Sequence, residues 1–251
     1  MPMLRSLFIQ GASRGIGLEF VRQLLLREAE SQVFASCRSP EQAKELQELA
    51  SSEPARLRLL RLDVTDEETI ETAAAEVAEH AAHLHLVLNV AGVLHGSDFG
   101  PEKKLSQVRP EALRDVFDVN AFGPLLVAKH FHRFLRHDER SVFASVSARV
   151  GSISDNRLGG WYAYRGSKAA QNMFTKTLSI ELARIAPKSI VVGLHPGTVD
   201  TELSKPFQRT VPEGQLLSKS ASVGSMLSVL DGLAREDSGK VFDFLAKEIL
   251  P

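Results

Sequence analysis

Short apolar runs, each followed by a segment of helical periodicity, constrain this chain more than any other feature. They read "LFIQ" at 7 to 10, "VFASC" at 33 to 37, "LRLLRLDV" at 57 to 64, "LHLVLNV" at 84 to 90, "SVFASVS" at 141 to 147 and "SIVVGLH" at 189 to 195. Several are too continuously apolar for a strand with one wet face, so they predict parallel strands covered on both sides. Between them apolar residues recur at helical spacing, as with Ile16, Phe20 and Leu24, or Val77, Ala81 and Leu84. Such alternation joins through right-handed crossovers and predicts an α/β fold, a doubly wound parallel sheet of about seven strands with helices on both faces. After the sixth run there is room for a loop, one helix around 218 to 235 and a last strand around "KVFDFL".

With 251 residues and 43% hydrophobic content, the chain can bury a substantial core. No repeat, low-complexity tract or proline-rich linker marks a boundary, so residues 1–251 are expected to form a single domain. Thirty basic residues nearly balance thirty-one acidic ones, which leaves no overall positive field to gather nucleic acid. Cys37 is the only cysteine; it excludes intramolecular disulfides and suits a reducing, cytoplasmic setting. The N-terminal "MPMLRSLFIQGASRG" is too short in its apolar run for a membrane span and reads as the first strand. The histidines are scattered, and no metal-ligand constellation is seen.

In "FIQGASRGIGLEF", Gly11, Gly15 and Gly17 stand where the first strand meets the first helix, spaced G-x-x-x-G-x-G. Glycines there allow a tight turn and close backbone approach, so a pyrophosphate can rest on the helix N-terminus. The second strand ends in "SCRSP", with Arg38 where a ribose-binding acid would favour NAD(H). Arg38, with Arg14 in the glycine loop, suits an added phosphate, so NADP(H) is preferred over NAD(H). Asp63, in "RLDVTD", is placed either to bond an adenine amino group or to cap the helix beginning near Glu67.

Tyr164 and Lys168 are four residues apart in "WYAYRGSK" and share a helix face. A nearby ammonium favours tyrosinate, which would lower the phenol pKa and make it an acid or base near neutral pH. Further along come "NVAG" at 89 to 92, "DVNAFG" at 118 to 123 and "HPGTVDT" at 195 to 201. Together with the glycine loop and the tyrosine–lysine pair, they resemble the short-chain dehydrogenase/reductase family over essentially the whole chain. Within it, "SARVGSISDNRLGGWYAYRGSKAAQN" is similar to the C-factor group of small reductases.

The resemblance implies a Rossmann-type fold and an NADP(H)-dependent oxidoreductase acting on a small carbonyl or secondary alcohol. It makes Tyr164 the proton donor or acceptor, Lys168 the residue that tunes it and holds the nicotinamide ribose, and Asn120 the anchor of a relay water. It assigns cofactor contacts to Gly11, Ser13, Arg14, Gly15, Ile16, Gly17, Arg38, Asp63, Val64, Asn89, Ala91 and Gly92. Pro196, Gly197, Val199 and Thr201 match the loop beside the nicotinamide; His195 before them reads as structural. A homodimer or homotetramer through long helices near 110 to 136 and 161 to 185 is also implied.

Two positions depart from the family. Its carbonyl-polarising serine stands three residues before a glycine, which here is Ala148 before Gly151. Ser147 is the favoured substitute, Ser152 the alternative and loss of the serine the third possibility; neighbours on a strand face opposite ways, so the offset matters. Gly166, between tyrosine and lysine, costs about 1 kcal/mol of helix propensity, and either close approach of the cofactor or neutral variation would account for it. The unsettled serine and the C-factor resemblance together motivate a second class of function, a cofactor-binding signalling or sensor protein of C-factor type with weak or vestigial catalysis. A sugar-nucleotide epimerase would need a larger C-terminal domain than this chain has.

Overall fold

The computed structural model describes residues 5–27 and 29–251; residues 1 to 4 of the N-terminal stretch lie outside them. The first half runs β1 (Ser6–Gln10), α1 (Gly15–Arg27), β2 (Gln32–Cys37), α2 (Lys44–Ser52), β3 (Leu57–Arg61), α3 (Glu67–Ala78) and β4 (Leu86–Asn89). Then come α4 (Pro110–Phe117), α5 (Gly123–Phe131), β5 (Ser141–Val146), α6 (Tyr162–Ile185) and β6 (Ser189–His195). Two short strands, β7 (Thr198–Val199) and β8 (Leu216–Leu217), precede α7 (Lys219–Gly232) and β9 (Val241–Asp243).

Seven strands form one parallel sheet in the order β3-β2-β1-β4-β5-β6-β9, as the apolar runs predict. Leu7 and Ile9 of β1 pack with Leu24 and Met226 on one face, while Phe8 packs with Ile70 and Phe131 on the other. Alternate side chains thus meet helices on both sides, which is why these runs are continuously apolar. Strand order reverses between β1 and β4, so their C-terminal ends open the crevice where ligands bind in such sheets.

The long helix expected near 110 to 136 is not continuous. Between α4 and α5 the backbone widens into a π-turn over Asp118–Phe122, and past α5 it tightens into a 3-10 turn at His132–Leu135. The Gly123 N–H bonds to the Asp118 carbonyl five residues back, and Pro124 has no N–H with which to resume the ordinary pattern. Gly123 is required here: a Cβ would stand 2.6 Å from that of Val64. Asn120 lies in the middle of this turn.

Candidate active site

The glycine loop is tight. Gly11 and Gly15 take left-handed φ values of 84° and 61°, and a Cβ on Gly17 would stand 2.1 Å from the Gly11 carbonyl oxygen. A Cβ on Gly11 would come within 2.6 Å of the Ala91 nitrogen, so the glycine loop presses directly on the segment after β4. Gln10, buried at the end of β1, stitches the two together by accepting the Ala91 N–H on its Oε1 at 3.1 Å. Ile16 packs against the core, whereas Ser13 stays partly exposed.

Two buried oxygens flank this loop without a hydrogen-bond partner among the described residues: Ser36 Oγ on β2 and Asn89 Oδ1 on β4. Buried polar atoms are seldom left unpaired, so their presence on both neighbours of β1 fits a polar ligand such as a dinucleotide. Asn89 is held by its Nδ2, which donates to Ser145 Oγ at 3.3 Å. The side chains of Arg14 and Arg38 are exposed and form no ion pair or hydrogen bond among the described residues. Asp63 does not cap α3; that role falls to Asp66, which accepts the Glu68 N–H. Asp63 instead accepts from the Thr65 backbone and hydroxyl at 3.0 and 2.8 Å, and Val64 is buried against Gly123.

At the reactive end, Tyr164 lies in the first turn of α6 with Lys168 one turn on, its Nζ 6.0 Å from the tyrosine ring centre. Lys168 is 3% exposed, and its Nζ donates to the Val146 carbonyl at 2.8 Å and to Gln171 Oε1 at 2.9 Å. Burial pushes the Tyr164 phenol up to about 12 and the Lys168 ammonium down to about 7. The expected lowering of the phenol is therefore overturned: loss of solvation outweighs the attraction of an ammonium directed at Val146 and Gln171. A phenol so raised stays protonated at neutral pH and can donate.

Asn120 is fully buried. Its Oδ1 accepts the Val93 N–H at 2.8 Å, and its Nδ2 donates to the Val93 carbonyl at 2.8 Å and Ser167 Oγ at 3.1 Å. It thereby clamps the segment after Gly92 to α6. A Cβ on Gly92 would lie 3.4 Å from Asn120 Oδ1 and 3.9 Å from Lys168 Nζ, so backbone, amide and ammonium meet at one point.

The serines resolve differently from expectation. Ser147 donates its hydroxyl to Asn172 Oδ1 at 2.6 Å, and Asn172 lies eight residues, about 12 Å of helix rise, beyond Tyr164. Ser152 is buried in a turn, sharing a hydrogen bond with Ser154 Oγ and accepting the Asp155 N–H. Both hydroxyls are thus engaged with partners other than the tyrosine. Ser147 still belongs to the β5–β6 ladder through its N–H bond to Leu194, so its side chain follows strand alternation toward α6. Ala148 follows in extended conformation, and Gly151 closes the turn so tightly that a Cβ would meet that of Lys168 at 2.8 Å. Gly166 faces the Phe117 ring, where a Cβ would stand 3.2 Å away, so a larger residue here would require that ring to shift by a few tenths of an ångström.

The loop after β6 completes the crevice. Gly197 has φ 76°, and a Cβ would strike Leu217 at 2.8 Å and Phe244 at 2.9 Å. The Pro196 carbonyl accepts from Ser222 Oγ, and Val199 is buried in the β7–β8 pair. Thr201 faces the glycine loop, its methyl 3.8 Å from a Cβ built on Gly15. Trp161 packs on Phe207 at 5.1 Å and stands edge-on to Tyr164 at 6.1 Å between ring centres.

His195 sits under this loop. Its Nδ1 is buried without a partner among the described residues, and burial, aided by Arg149, pushes its pKa down to about 4. The unfolded chain then binds a proton near pH 6.5 that the folded one refuses until about pH 4, so stability falls as pH drops through this window. Denaturant titrations should show a loss of up to about 3 kcal/mol between those pH values that His195→Gln largely lacks; equal losses in both proteins would contradict this.

Gln10, Glu102, Phe117, Gln171 and Asn172 all shape the crevice and were not singled out by sequence. Gln171 and Asn172 had a faint signal, as polar residues on the Lys168 helix; the others touch it only through the tertiary fold.

Comparison with known proteins agrees with this geometry. A family model described as short chain dehydrogenase matches residues 5–212. An uncharacterized oxidoreductase of Schizosaccharomyces pombe is 34% identical over 247 residues, covering 94% of each chain. The C-signal protein of Myxococcus xanthus is 41% identical over 134 residues, covering 53% of this chain and 75% of that one. The crystal structure of NADPH-bound carbonyl reductase from chicken fatty liver superposes with a TM-score of 0.88 at 33% identity, covering 99% of both chains. The chain therefore belongs to the short-chain dehydrogenases, a family of oxidoreductases.

Proposed function

We propose that this protein is an NADP(H)-dependent oxidoreductase that transfers hydride between nicotinamide and a small carbonyl or secondary alcohol, with the whole chain as one catalytic domain. The observation that carries this reading is the meeting of Gly92, Asn120 and Lys168 one helical turn from Tyr164, at the mouth of the glycine loop. The backbone of Gly11, Ser13, Gly15, Ile16 and Gly17 would hold the pyrophosphate, with Thr201 opposite. Arg14 and Arg38 would take the ribose phosphate, and Asp63 and the Val64 backbone would border the adenine. Asn89, Ala91 and Gly92 would form one wall of the nicotinamide side, and Pro196, Gly197 and Val199 the other.

When bound, the nicotinamide supplies the hydride. Tyr164 gives its phenolic proton to the carbonyl oxygen in reduction and recovers it in the reverse direction. Lys168, anchored by Val146 and Gln171, would hold the ribose hydroxyls. Asn120 keeps the Gly92–Val93 backbone fixed against α6 and, through the free lone pair on Oδ1, can anchor a relay water.

Purified protein should consume NADPH with a member of a panel of small ketones, aldehydes and quinones. NADPH should bind more tightly than NADH, and Arg38→Asp should weaken NADPH by about tenfold or more while changing NADH little. Equal affinities for the two, unmoved by Arg38→Asp, would remove the NADP(H) preference.

The 41% identity with C-signal and the committed serines support a second reading, a cofactor-binding signalling protein with weak catalysis. A biological effect that survives Tyr164→Phe would favour it. Exposed Phe122, Leu125, Met173 and Ile180 on the α5 and α6 side support a homodimer or homotetramer, which light scattering can test. The free thiol of buried Cys37 is in keeping with a reducing cytoplasm.

A further inference from the structure

Helix α6 carries both Tyr164 and Lys168, yet its own sequence provides no side-chain cap. Its N-cap, Trp161, is held in the left-handed region at φ 54° and makes no capping hydrogen bond. The cap comes instead from Glu102, in the loop between β4 and α4. Glu102 Oε2 accepts the Ala163 N–H at 3.2 Å, and the Glu102 carbonyl accepts the Trp161 N–H at 2.5 Å. Gly160, at φ 65°, is pressed on the same carbonyl, where a Cβ would stand 3.2 Å away.

Glu102 is only 4% exposed. A buried carboxylate is costly unless hydrogen-bonded, and one at a helix N-terminus also meets the positive end of the helix dipole. The two bonds bracket one turn of chain: Trp161, whose ring stands edge-on to Tyr164, and Ala163, the residue before Tyr164. Elsewhere the 93–110 loop is tied down by His95 to the Leu203 carbonyl and by Arg109 to the Asp98 carbonyl.

We propose that Glu102 is a positioning residue for the proton transfer: it caps α6 from a distant loop and so sets the Tyr164 phenol and the Trp161 ring relative to the bound carbonyl. The assignment rests on the oxidoreductase reading above. It makes the loop between β4 and α4 part of the machinery that aims the acid.

The test compares Glu102→Ala, Glu102→Asp and Glu102→Gln in the full chain, at a temperature where all are folded, with Tyr164→Phe as the reference for loss of the acid. Glu102→Ala should lower kcat by tenfold or more with NADPH affinity unchanged within threefold. Glu102→Asp, which keeps the charge but withdraws the oxygen, should fall between, and Glu102→Gln, which keeps an acceptor at full reach, should restore kcat to within threefold. Trp161 is the only tryptophan, so acrylamide quenching of its fluorescence reports the first turn of α6 directly and should increase in Glu102→Ala. A cap that serves stability alone would lower the unfolding temperature and leave kcat and quenching unchanged; that result, or failure of Glu102→Gln to restore both, overturns the proposal. If the wild type turns over no carbonyl, the oxidoreductase reading fails; unchanged Trp161 quenching in Glu102→Ala still overturns the proposal by itself.

Discussion

Tyr164→Phe is expected to remove NADPH-linked carbonyl reduction, lowering kcat by a factor between about 10² and 10⁴, while NADPH affinity stays within about threefold. The substitution deletes one oxygen from a partly buried ring that also packs edge-on against Trp161, so the wall of the crevice survives and only the proton source is lost. Burial holds the phenol near 12, well above neutral pH, so the group being deleted is a protonated acid poised for reduction. Stopped-flow or steady-state loss of NADPH absorbance checks the rate, and fluorescence titration checks the binding. Retention of more than a tenth of the wild-type kcat would show that another group or bulk water delivers the proton.

Ala148→Ser is expected to raise kcat by about tenfold or more, and Ser147→Ala to leave it within about twofold. A donor aimed at the developing oxyanion is worth roughly 2.7–4 kcal/mol when well placed, and both native serine hydroxyls already have other hydrogen-bond partners. Ser147 is engaged with Asn172 two turns below Tyr164, and Ser152 is engaged within its own turn. Position 148 is the first beyond the β5–β6 ladder, in the turn that Gly151 packs against Lys168. Ala148 is in extended backbone, a conformation that serine adopts without strain. Were Ser147→Ala to cost tenfold or more, the Ser147–Asn172 bond would have to break on substrate binding, and the oxyanion role would return to Ser147.

The sheet was legible because its signal is local and redundant. Each strand buried on both faces must be a continuous apolar run, and all seven elements of the sheet fall within runs visible in the sequence. The glycine loop was legible for a similar reason, since positive φ and backbone contact leave few residues able to stand at Gly11 or Gly17. The break of the helix at Asp118–Phe122 was less so: Gly123-Pro124 hints at it, but only the contact of Gly123 with Val64 explains why the backbone widens there.

What sequence alone determined is the alternation that dictates a doubly wound sheet, the glycine turn at its first crossover, and the presence of a tyrosine and a lysine on one helix face. Those depend on periodicity and on the intrinsic conformational limits of single residues. Tertiary structure alone decided the direction of the Tyr164 and Lys168 pKa shifts, the commitment of Ser147 to Asn172, and the capping of α6 by Glu102 from sixty-one residues before Ala163. Solvation, hydrogen-bond partnership and helix capping across a loop depend on what stands within a few ångströms in space, and one-dimensional spacing carries no record of that.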